Sequence, residues 1–105
     1  MAEASLPRHY QMLARNYPAF MSALDDLSKA ARQCGPLDEK TIQLVQMAAA
    51  AAQGTETSVS SHARRALRAG ATNEEICQAL LVLATTIGFP ATAAAIKWAE
   101  KYLDE

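Results

Sequence analysis

Cysteine is scarce in this chain. Only Cys34 and Cys77 occur among 105 residues, far apart and without a Cys-x-x-Cys pair. A disulfide framework is thereby excluded, and with only His9 and His62 as histidines no clustered ligand set for a metal is present. We expect no metal and no cofactor, and a reducing cytoplasm is the default location. Long apolar runs are also missing: nothing reaches the ~18 residues that a spanning helix needs. The start, Met1 to Pro7, has no basic stretch leading into an apolar one, so no signal peptide is expected. Excess charge of one sign is lacking too. Ten basic and eleven acidic residues leave a net charge of −1, which favours neither nucleic acid nor a membrane surface as partner.

What the chain does have is small apolar residues. Half of it is hydrophobic, only 6% is aromatic, and alanine occurs in blocks such as Ala48 to Ala52. A buried alanine contributes far less transfer energy than leucine or phenylalanine. A single domain of this size therefore has an adequate but thin core. Self-association would bury more surface, so a homo-oligomer is expected.

Every periodic segment repeats at three and four residues, and none alternates as a strand. The pattern predicts an all-α, antiparallel bundle of five to six helices. A short helix spans about Arg8 to Arg15. Pro18 opens a second, whose stripe is Phe20, Met21, Leu24, Leu27 and Ala31, and Gly35-Pro36 ends it. Asp38 caps the third, with Leu37 placed to staple onto Ile42, and Gly54 stops it. The fourth runs from about Thr55–Thr57 to Gly70. Thr72 and Glu75 form a capping box for the fifth, with core face Ile76, Ala79, Leu80, Leu83, Ala84 and Ile87. Gly88 closes it, Pro90 opens the sixth, and Ile96, Ala99 and Leu103 carry the last stripe. Residues 1–105 read as one domain, with N-terminal helices over 1–36 and a core over 37–105.

Two stretches carry a family resemblance. One is Leu37-Asp38-Glu39-Lys40-Thr41, opening a helix that runs into the alanine block. The other runs Gly54-Thr55-Glu56-Thr57-Ser58-Val59-Ser60-Ser61-His62, then Ala66, Ala69-Gly70-Ala71-Thr72 and Glu74-Glu75-Ile76, with Gly88-Phe89-Pro90 beyond. Over roughly Leu37 to Ala95 the chain resembles the carboxymuconolactone decarboxylase and alkylhydroperoxidase family. The resemblance implies a trimer or hexamer. In redox members a Cys-x-x-Cys and a following histidine share this segment with a glutamate from the preceding helix. The matching residues here are Thr55, Ser58, His62 and Gln43. Hydroxyls cannot replace an accessible thiolate or form a disulfide, and a neutral amide cannot exchange a proton as a carboxylate does. The redox site is thus degenerate. The decarboxylases of the family also lack the cysteine pair and act on a small lactone acid by acid–base chemistry.

On a helix, Thr55, Ser58, His62, Ala66 and Ala69 share one strip. It lies between an apolar face and a basic one carrying Arg64, Arg65 and Arg68. Helices joined at Gly54 should lie antiparallel, setting Gln43 opposite His62. His62 is the candidate acid or base, with Gln43, Thr55, Ser58 and Arg65 as candidate ligand-binding residues. Arg65 and partial burial would disfavour the imidazolium, leaving a ring suited to accept a proton. The bland alternatives are a half-buried structural histidine and a solvated arginine face. His9 reads as surface, Cys77 as a small buried apolar residue, and Trp98 and Tyr102 as sealing the core or a subunit contact. The favoured function is a cofactor-free enzyme or binder for a small anionic organic acid or lactone. The alternative is a non-catalytic oligomeric binding or assembly protein, and alkylhydroperoxidase-type activity ranks last.

Overall fold

The computed structural model describes residues 6–103; of the amino-terminal stretch read as leaderless, Met1 to Ser5 lie outside the described residues. The described residues are helical throughout, with no strand among them. The chain divides into two units, Met1–Pro36 and Leu37–Glu105.

The first unit holds α1 (Arg8–Asn16) and α2 (Pro18–Gln33). Tyr17 breaks the run at φ −134°, and Pro18 begins the second helix, where its missing N–H costs nothing. Neither helix has a fully buried residue. The apolar stripe expected on α2 is present but uncovered: Phe20, Leu24 and Leu27 are exposed, and Met21 is half-buried. The period was real, but two helices enclose too little volume to cover it.

The second unit holds α3 (Glu39–Gln53), α4 (Glu56–Arg68), α5 (Asn73–Leu81), α6 (Ala84–Ile87), α7 (Phe89–Ala99) and a 3₁₀ turn, Glu100–Tyr102. Asp38 caps α3 by accepting from the Thr41 N–H at 2.9 Å. Hydrogen bonding from Thr41, side chain first and backbone second, holds the Asp38 carboxyl below its ordinary range. At the other end Gly54 adopts φ 72°, and the Thr55 N–H reaches back to the Ala50 carbonyl at 3.0 Å. Nothing crowds a Cβ there, so the left-handed backbone alone calls for glycine. Gly70 (φ 106°) repeats the device after α4, with the Ala71 N–H on the Ala66 carbonyl at 2.9 Å. These two turns fold α3 against α4 and release the chain into α5.

The Thr72–Glu75 capping box is formed in both directions, each bond 3.0 Å. Glu75 also accepts from the Lys40 ammonium at 3.2 Å, joining the first turns of α3 and α5. The Thr72 N–H, and after it Lys40, hold the Glu75 carboxyl below its usual value. The predicted fifth helix is not continuous, however. After Val82, which still bonds to Gln78, two bonds shorten to i→i−3, Leu83 to Leu80 and Thr86 to Leu83, and α6 follows as a single turn. Leu81 and Val82 are left exposed at the break, while Leu83 and Ile87 still reach the core. A periodic stripe does not register such tightening, because i and i+3 remain on one face.

Seven of the eleven buried core hydrophobics are alanine; the large ones are Met47, Val59, Ile76 and Leu80. Small side chains let the backbones approach, and Ser60 Oγ donates to the Trp98 carbonyl at 2.8 Å, tying α4 to α7. Trp98 packs partly buried on the core, as one of its two expected roles required.

Thr92, on α7, is 0% exposed and its hydroxyl has no hydrogen-bond partner. A desolvated, unpaired hydroxyl costs about 1–3 kcal/mol. Thr92→Val keeps the branched shape and removes that cost. We expect it to stabilise the chain by about 1 kcal/mol, read as a melting temperature raised by a few degrees. A lowered one would mean that the hydroxyl has a partner in solution.

Candidate functional site

The hairpin of α3 and α4 places the candidate residues. Gln43 lies one turn into α3 and points into the core, 2% exposed. An amide there must be paired on both sides, because an unmet donor or acceptor in that setting is costly. Both sides are met. Gln43 Oε1 is 2.7 Å from His62 Nδ1 on α4. Gln43 Nε2 donates to Glu39 Oε2 at 2.6 Å, one turn back on its own helix. The result is a chain of three side chains, Glu39–Gln43–His62, running from the exposed first turn of α3 into the hairpin and onto half-buried His62.

Of the predicted site residues, the structure joins Gln43 to His62. Ser58 is half-buried one turn before His62, on the same strip of α4. Thr55 is the exposed N-cap of α4 and makes no side-chain cap bond. Arg65 is exposed one turn beyond His62, and with Arg68 it belongs to the solvated face, where Arg64 is half-covered. His9 is exposed with its ring 4.6 Å from that of Tyr10. Cys34 and Cys77 are both free thiols, and Cys77 is half-buried, less covered than expected.

Sequence reasoning missed Glu39. In the sequence it reads only as part of the opening of a helix, where a carboxylate is ordinary. A usable signal was present: Glu39 and Gln43 stand at i and i+4, the spacing at which helical side chains meet. The carboxylate missing at position 43 thus lies one turn earlier, acting on His62 through an amide rather than directly.

Among the described residues no group of three histidine, cysteine or acidic side chains could hold a metal ion. No helix among them is long and apolar enough to cross a membrane. Chemically, the arrangement fixes an imidazole at its Nδ1 at the edge of an apolar bundle, with a carboxylate at one remove. That suits proton exchange or the binding of an acid group. It offers no thiolate.

The described residues of the second unit form an all-α bundle with a Glu39–Gln43–His62 chain in the hairpin of α3 and α4. The chain belongs to the carboxymuconolactone decarboxylase family, whose model matches residues 18–101. The match therefore takes in α2 as well as the second unit, beyond the stretch from Leu37 on which the resemblance rested. An uncharacterized protein of Methanocaldococcus jannaschii is 32% identical over 90 residues, covering 86% of this chain and 84% of the relative. One of Paracoccus denitrificans, from a cox locus, is 37% identical over 88 residues (80% and 78%). One of Cupriavidus necator is 35% identical over 75 residues, or 71% of this chain and 66% of that protein. Among solved structures, a carboxymuconolactone decarboxylase family protein from Legionella pneumophila superposes with a TM-score of 0.79 at 26% identity, covering 91% of this chain and 88% of that one. A Burkholderia xenovorans protein superposes at 0.76 over 95% and 81% of the chains; at 20% identity it speaks for the fold alone.

Proposed function

We propose that this family member is a cofactor-free enzyme or binder for a small organic acid or lactone, with His62 as the group that accepts or donates the proton. The observation that carries this reading is the contact of His62 Nδ1 with Gln43 Oε1 at 2.7 Å. It fixes the ring at Nδ1, and a hydrogen bond of that kind is how a working acid or base is oriented. Exposed Arg65 on the next turn supplies positive charge for a carboxylate ligand. Thiol peroxidase chemistry is disfavoured, since hydroxyls stand at Thr55 and Ser58.

The test compares wild type with His62→Ala against a panel of small carboxylic acids and lactones, by calorimetry and by turnover. We expect turnover in wild type to fall about a hundredfold or more in the variant, the low end of what acid–base catalysis supplies. A ligand handled equally well by both would remove His62 from the site.

A second reading, a non-catalytic oligomeric binding or assembly protein, draws support from the exposed apolar stripe of α2. On that reading no member of the panel binds, and the chain's business is contact between subunits.

A further inference from the structure

The bonds around Gln43 carry more than the position of His62. A carboxylate only accepts hydrogen bonds, and an amide has one donating end and one accepting end. With Gln43 Nε2 on Glu39 Oε2 at 2.6 Å, the amide's nitrogen is committed to the carboxylate and its oxygen to His62. Turning the amide over would set oxygen against carboxylate oxygen. Burial at 2% exposure keeps water from substituting for either partner. The amide oxygen carries no hydrogen, so the hydrogen in the 2.7 Å contact belongs to Nδ1 of the ring. In the neutral imidazole the lone pair then sits on Nε2.

We propose that Glu39 is a positioning residue: through the Gln43 amide it holds His62 as the Nδ1–H tautomer and so makes Nε2 the atom that takes and returns a proton. No proton passes along the chain. When Nε2 accepts one, the imidazolium donates more strongly from Nδ1, and the amide dipole, already turned by Glu39, favours the added charge. Glu39 thus contributes without touching a ligand. Its role in proton transfer rests on the function proposed above; the tautomer does not.

This separation sets the experiment. Full-length protein labelled with ¹⁵N is studied by two-bond ¹H–¹⁵N correlation, at a pH where the His62 ring is neutral, with no ligand added. In wild type we expect a protonated-type shift at Nδ1 and a lone-pair-type shift at Nε2. In Glu39→Gln the new side chain can present oxygen or nitrogen to Gln43, so the lock is released. Both ring nitrogens should then move toward the averaged shifts of exchanging tautomers. Glu56→Gln, which removes an exposed first-turn carboxylate from α4 instead, should leave the wild-type shifts in place. Far-UV circular dichroism verifies that each variant keeps its helices; Glu39 is exposed, so little folding cost is expected. Wild-type His62 found as the Nε2–H form overturns the proposal. So does a Glu39→Gln spectrum identical to wild type. Neither result depends on the ligand panel, so this inference and the functional reading can fail separately.

Discussion

Thr55→Cys combined with Ser58→Cys is expected to form a reversible disulfide and to consume an organic hydroperoxide, and the wild-type chain is expected to do neither. Thr55 is the N-cap of α4 and Ser58 lies three residues on. Positions 55 and 58 stand at i and i+3, a spacing at which side chains on one helical turn meet. A thiol at that end of a helix also sits where the backbone dipoles favour the thiolate, which lowers its pKa. In the reaction one thiolate attacks the peroxide oxygen, alcohol leaves, and the resulting sulfenic acid condenses with the second thiol, releasing water. A dithiol reductant then restores both thiols. Thiol titration should show two thiols lost on mild oxidation of the variant and none in wild type, where Cys34 and Cys77 are both free. We expect slow turnover, because neutral Gln43 cannot exchange a proton with the incoming substrate. Wild-type turnover abolished by Cys34→Ser or Cys77→Ser would reverse the argument and place a redox centre elsewhere in the chain.

The second large effect concerns mass. We expect sedimentation at micromolar concentration to give roughly three or six times the 11.3 kDa of one chain, the closed ring or its doubling that the family resemblance implies. The physical motive is independent of the family. On α2, Phe20, Leu24 and Leu27 stand at i, i+4 and i+7, with Phe20 63% and Leu27 66% exposed. Covering three such side chains contributes about 5 kcal/mol per copy. Association costs ~4–15 kcal/mol, so this stripe alone is marginal. The second unit adds exposed Val45, Val82 and Phe89. We expect these residues to tip the balance toward assembly in a protein whose buried core is mostly alanine. Phe20→Glu with Leu24→Glu should dissociate the assembly while leaving the helices of the second unit formed. A wild-type species at 11.3 kDa would refute the expectation.

The division between sequence and structure is visible in single residues. Asp38, Thr72 with Glu75, Gly54 and Gly70 work within four or five residues of chain, through hydrogen bonds to their own helix ends. For that reason the starts of α3 and α5 and the ends of α3 and α4, and with them the all-α class, are legible in the sequence. The pairing of Gln43 with His62 was legible because one tight turn at Gly54 leaves two helices little choice but to lie side by side. Other features depended on what surrounds a residue. The periodicity of α2 revealed an apolar face but not whether anything covers it, since burial depends on volume enclosed by other helices. The break after Leu81 kept the stripe in phase and so left no trace in the pattern. Glu39 stood in plain view at the spacing that reaches Gln43, yet only the buried amide, paired at both ends, shows which way its dipole points. That direction is decided by tertiary structure, because a glutamine can turn either face to a neighbour until burial removes water as the alternative partner.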